Sequence, residues 1–126
     1  MPPVPPLTPL GARLQPGRAA FNRGAFFEAH ELWEGVWRGL GGDQRNLVQG
    51  LIQIAAGLHH LQRGRQRPAA RLLARGVQNI SRPGLAPASE HPPLAGVDAL
   101  VRDVERLLKD LEAAGAPAPD AGALKF

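Results

Sequence analysis

The chain contains no cysteine and no tyrosine, and only one methionine among its 126 residues. Without cysteine it has no disulfide framework, no thiolate metal site and no cysteine nucleophile. Hydroxyl groups are almost as scarce. Thr8, Ser81 and Ser89 all fall in segments without helical periodicity, so no serine-type nucleophile stands out. No apolar run approaches the roughly 18 residues of a membrane span. The opening MPPVPPLTPL lacks the basic and apolar regions of a secretory signal. These absences lead to the expectation of a single cytoplasmic domain with no membrane partner.

Acidic residues are missing from a long central stretch. Residues 44–89 hold seven arginines and no acid, whereas residues 1–43 are balanced at four of each sign, and residues 90–126 hold four bases against seven acids. Such an uneven distribution marks either an anion or nucleic-acid partner or an arginine-rich composition with no binding role. Fifteen glycines and thirteen prolines break the chain into segments. Residues 1–15 read as a Pro-rich arm, 16–113 as a helical domain and 114–126 as a flexible tail, with arm and tail outside the core.

Within the domain every apolar pattern has the helical period and none alternates as a strand does. Pro16 to Arg23 reads as a short leading helix with Pro16 in its first turn. A second helix runs from Ala25 to Arg38. Asp43 caps a third that runs to about Arg63, and Pro68 opens a fourth that ends near Ile80. After a Pro-rich loop from Ser81 to Pro93 comes a fifth, beginning after Gly96, with Leu100, Val104, Leu107 and Leu111 in register. Short connections make neighbours antiparallel, so the fold class is all-α, a small antiparallel bundle of four main helices plus the short N-terminal one.

The second helix concentrates the chemistry. Phe26, Phe27, His30, Trp33, Glu34 and Trp37 share one arc, and Ala25, Ala29, Leu32 and Val36 form a second apolar strip. Phe27 and Trp37 are expected in the core. Phe26, Trp33 and the second strip leave more apolar surface than three neighbouring helices cover, which predicts a homodimer. His30 and Glu34 sit side by side at i, i+4, among aromatic rings. Gln49, Gln53, Ala56 and His60 make a polar seam on the third helix, with His59 on its shoulder, and Gly50, Ala55, Ala56 and Gly57 permit a close approach to the second. Two readings stay open: the polar groups satisfy one another and fix helix register, or His30 and Glu34, with His59 or His60, bind a divalent metal as a two-His, one-carboxylate set. On the fourth helix Arg67, Arg71 and Arg75 follow at i+4 steps, as a solvated face or as an anion or nucleic-acid footprint. No aromatic is interleaved with them, which counts against single-strand binding.

The run from Phe21 through Glu31, followed by Glu34 and Trp37, then Gln49-Gly50-Leu51-Ile52-Gln53-Ile54-Ala55-Ala56 and His59, resembles the family called domain of unknown function 309. The likeness extends roughly from Arg18 to Glu112. It implies a small helical bundle with no established activity, with hallmark positions at Glu28, His30, Glu31, Glu34, Trp37, Gln49, Gly50 and His59. It thereby favours His59 over His60 as the partner of His30 and Glu34. The candidate cluster is then Glu28, His30, Glu31, Glu34, Gln49, Gln53 and His59, with His30, Glu34 and His59 as the metal set. The alternative is an interaction module that offers the basic fourth helix or an apolar helix face to a protein or RNA.

Overall fold

The computed structural model describes residues 10–81, 96–113 and 124–126. Among them are five helices and no strand: α1 (Leu10–Asn22), α2 (Phe26–Trp37), α3 (Gly42–Gln62), α4 (Gln66–Ile80) and α5 (Val97–Glu112). Each helix packs on its neighbour in sequence, and the α3–α4 contact is the most extensive. The all-α bundle expected from periodicity is the one observed. Thr8, Ser89, the Pro-rich loop after Ser81 and residues 114–123 lie outside the described residues. None of the described helices is long and apolar enough to cross a membrane.

The short turns follow from two glycines. Gly24 between α1 and α2 has φ +80°, and Gly64 between α3 and α4 has φ +75°, the left-handed region where a Cβ is penalised. The α1–α2 turn is also tied to the end of α3, because Gln62 Nε2 donates to the Gly24 carbonyl at 2.8 Å. This bond brings the start of α2 beside the last turn of α3.

The leading helix is longer than expected. It begins at Leu10, six residues before Pro16, and holds Pro16 in its interior. Proline there removes one backbone hydrogen bond and leaves the Ala12 carbonyl without its helical donor. Both Ala12 and Pro16 face solvent, so water can replace that donor. In return Leu10, Leu14, Gly17 and Phe21 bury one stripe at 4-3-4 spacing. Part of the expected arm therefore belongs to the core. So does the far end of the chain, since Leu124 and Phe126 are buried. Phe126 N donates to Asn22 Oδ1 at 2.7 Å, and its main-chain oxygen accepts from Arg18 Nε at 2.7 Å and Asn22 Nδ2 at 3.0 Å.

Gly50 and Gly57 of α3 serve α4 rather than α2. A Cβ on Gly50 would lie 2.7 Å from the Gly76 carbonyl oxygen, and one on Gly57 would lie 2.9 Å from Leu73 Cγ. Glycine at 50, 57 and 76 thus lets the two backbones approach, which corrects the expectation that Gly50 and Gly57 admit α2, whereas Ala56 does line a cleft with Phe27 and His30 of α2.

Candidate functional site

The orientation of α2 decides which of its residues meet water. Ala29 and Trp33 are fully buried, as is Phe26, whereas Phe27 is 56% exposed and Leu32 40%. The core therefore takes the seam between the two apolar strips, and the outer flank of each is left exposed. This overturns the placement of Phe27 in the core. Trp37 is only half-buried, with the Arg45 guanidinium 4.0 Å from its ring centroid. Phe26, Ala29 and Trp33 are covered within the chain, so of the apolar residues on α2 it is Phe27 and Leu32 that stand most exposed.

On the exposed flank, His30 stands between two carboxylates. Its Nε2 lies 3.6 Å from Glu34 Oε1 and its Nδ1 lies 3.5 Å from Glu31 Oε1. Nδ1 is screened from solvent, yet it has no hydrogen-bond partner among the described residues. One ligand atom from each of His30, Glu31 and Glu34 can be chosen so that all lie within 4.8 Å of one another. The i, i+4 spacing brings Glu34 under the ring, and Glu31, the next residue, reaches its other edge.

His59 is not in that group. It sits at the last turn of α3, its ring centroid 5.3 Å from that of Phe27, and Phe27 in turn stacks on His30 at 6.0 Å. Phe27, His30, Ala56, His59 and His60 line a solvent-open cleft of about 180 Å³. His60 Nδ1, like His30 Nδ1, is buried there without a partner among the described residues. Burial holds the His59 imidazole below its ordinary pKa of 6.5, helped by the positive charges of Arg63, His60, Arg65 and His30. Both effects favour the neutral form of His59.

The other expected members are dispersed. Gln53 turns to α4, where its Oε1 accepts from Asn79 Nδ2 at 2.6 Å. Glu28 is an exposed ion-pair partner of Arg23, 2.6 Å away. Gln49 is half-buried on α3, and no contact ties it to His30 or Glu34. Arg67, Arg71 and Arg75 are all exposed on α4, as the helical period requires, and none has an acidic partner among the described residues. The residue that sequence reasoning misplaced is Phe27. Adjacent helical positions diverge by about 100°, and the buried side of α2, centred on Phe26, Ala29 and Trp33, leaves Phe27 on its flank.

Residues 14–72 match the family described as Domain of unknown function (DUF309). This span takes in all of α2 and α3 and the opening part of α4, and so all the residues of the His30 cluster and the cleft. The resemblance read from residues 21–59 is thereby supported, and that family carries no established activity. No curated protein and no solved structure matches the chain.

Proposed function

We propose that the protein binds a divalent metal ion at the outer face of α2, through His30 Nε2 and the Glu34 carboxylate. The observation that carries this reading is the 3.6 Å between Nε2 and Glu34 Oε1. It is too long for a hydrogen bond, yet two ligands each about 2.1 Å from one ion at a near-tetrahedral angle stand roughly 3.4 Å apart. Glu31 lies at the other nitrogen. With a small rotation its carboxylate accepts the Nδ1–H, which fixes the tautomer that presents the Nε2 lone pair, the usual role of a carboxylate behind a metal-bound histidine. One imidazole with carboxylate suits zinc, manganese(II) or iron(II) rather than calcium or a soft ion. The remaining coordination positions face water and the cleft, so the ion would be held in an open site.

The competing reading is that His30 and Glu34 only fix helix register. Thermal melting of wild type, His30→Leu, Glu34→Met and the double variant, each with chelator and with zinc, manganese or iron, separates the two. Metal binding predicts a gain of about 2.7 kcal/mol at free metal 100 times the dissociation constant, and its loss in either single variant. A wild type whose melting temperature ignores every metal and the chelator, beside a double variant at least as stable as either single one, overturns the metal reading.

A further inference from the structure

Residues 124–126 are held by the bundle as a bound peptide would be. The stretch that joins them to α5, residues 114–123, contains only Ala, Gly, Pro and one Asp, so the large apolar side chains that anchor the segment are its own. Leu124 and Phe126 are buried and Lys125 between them is exposed, the in-out-in alternation of an extended strand. Asn22, the last residue of α1, reads the main chain. Its Oδ1 accepts from the Phe126 N–H at 2.7 Å and its Nδ2 donates to the Phe126 main-chain oxygen at 3.0 Å, so one planar amide pairs with both polar groups of one residue, as a neighbouring strand would. Arg18, one turn earlier, donates from Nε to the same oxygen at 2.7 Å, and Lys125 Nζ donates to the Asn22 main-chain oxygen at 2.8 Å, where α1 ends and its carbonyls lack helical donors.

The side chain is read separately. The Phe126 ring meets Phe21 and Trp33 edge-on, with centroids 6.3 Å and 5.9 Å away, and the Arg18 guanidinium lies 4.3 Å from its own centroid, within cation–π range. A Cβ on Gly96 would lie 3.2 Å from Arg18 Nη2 and 3.9 Å from Phe126 Cδ1, so glycine keeps that side of the slot open. Any peptide can make the main-chain bonds. The slot adds selectivity, because it takes an aromatic ring at one position with an apolar side chain two residues before it.

We propose that Arg18, Phe21, Asn22 and Trp33 form a recognition site for an extended Leu-x-Phe segment of a partner protein, and that residues 124–126 occupy it in cis as a competing, autoinhibitory ligand. The chemistry singles out a polypeptide, because the site matches an amide N–H and a carbonyl oxygen to an aromatic ring on the same residue. A segment tethered through residues 114–123 is present at an effective concentration on the order of 1 mM, so a partner must displace it. Neither the metal nor the cleft beside His30 takes part, and the test is run with chelator present.

The experiment is fluorescence anisotropy of a labelled peptide, Ala-Gly-Ala-Leu-Lys-Phe, titrated with the full chain and with the full-length Phe126→Ala variant. The variant vacates the slot and should bind the peptide. Wild type should bind it more weakly, by about tenfold for a probe whose dissociation constant in the vacated slot is about 0.1 mM. A peptide with Ala in place of Phe should lose at least about tenfold, the size expected for an aromatic side chain that fills a buried pocket. Asn22→Leu, added to Phe126→Ala, should abolish binding of the intact peptide because it removes both main-chain bonds. Far-ultraviolet circular dichroism reports whether each variant keeps its helices. Phe126→Leu, which leaves the slot partly filled but takes the ring from Arg18, carries the test if Phe126→Ala does not fold. Equal affinity of wild type and the folded variant, indifference to loss of the peptide's Phe, binding that survives Asn22→Leu, or no binding at millimolar peptide would each overturn the proposal. Unfolding of both Phe126 variants would overturn it as well, since the segment would then be a part of the core and not a ligand of it.

Discussion

Two adjacent phenylalanines on one helix end in opposite surroundings. Phe26 enters a dry aromatic corner, 4.9 Å from the Phe21 ring in an edge-to-face contact, with Trp33 5.8 Å from Phe21 and Phe126 5.9 Å from Trp33. The only polar atom that Trp33 brings there is satisfied, its Nε1 donating to the Leu14 carbonyl at 3.0 Å. Phe27 instead lies beside His30 and His59, where the Nδ1 atoms of His30 and His60 are buried without partners among the described residues. A buried polar atom without a partner costs the fold about 1–3 kcal/mol, so the second region carries unfavourable groups that the first lacks. The contrast separates a dry corner in which packing and polar pairing agree from an edge that leaves polar atoms unmet.

The largest effect expected is at the dry corner. Trp33→Ala should destabilise by about 3–5 kcal/mol, the range for a large aromatic lost to a cavity, and should remove the indole hydrogen bond to the Leu14 carbonyl besides. Phe27→Ala, on the exposed edge, should cost less than about 0.5 kcal/mol. Urea midpoints of the two variants measure the contrast, and similar losses would erase it. A Cβ on Gly17 would run into the Trp33 indole, so the same corner should reject Gly17→Ala.

Next in size is the α3–α4 seam. A methyl group on Gly76 would lie 2.8 Å from the Gly50 carbonyl oxygen and 2.7 Å from Ile54 Cγ1. The first neighbour is backbone and cannot rotate away, so the helices must separate. Overpacking of this kind costs about 1–3 kcal/mol, against a gain of up to about 1 kcal/mol from replacing glycine by alanine in a helix. Gly76→Ala should therefore lose about 1–2 kcal/mol by urea denaturation. A neutral or stabilising result would mean that the seam is looser than its backbone spacing indicates.

The helical elements are legible in the sequence because their ends are chemical: Gly24 and Gly64 follow helices, Gly96 precedes one, and all three adopt positive φ where the pattern breaks. The start of α1 is less so. Leu10, Leu14, Gly17 and Phe21 carry a helical stripe, but Pro16 within it looks like a beginning, and only tertiary burial of Leu10 and Leu14 outweighs the missing hydrogen bond. The proximity of His30 and Glu34 follows from i, i+4 spacing alone and is seen at once. Gln53 pairs with Asn79 instead because the side of α3 that faces α4 is set by Gly50 and Gly57, whose role is visible only when the partner helix is in place. The same holds for the closeness of Phe27 to His59, which are 32 positions apart and meet through the Gln62 contact to Gly24.

The smallest expected effect is a difference in pH dependence at the exposed edge. In the unfolded chain His59 titrates near its ordinary 6.5, and in the folded chain burial, together with the positive charges of Arg63, His60, Arg65 and His30, lowers that value. The unfolded state therefore takes up the proton first as pH falls. The folded state is not penalised at pH values above 6.5, and stability drops as pH moves down from there toward the lowered folded value. The cleft is open to solvent, which screens these charges and keeps the effect small. Replacing the ring by an uncharged polar group, His59→Gln, removes the linkage. Urea midpoints at pH 7.5 and 5.5 should fall less in His59→Gln than in wild type, while carboxylate titrations elsewhere affect both proteins alike. An equal or larger fall in the variant would show that His59 gains a proton as readily in the fold as outside it, and the edge would then be as indifferent to charge as an ordinary solvated surface.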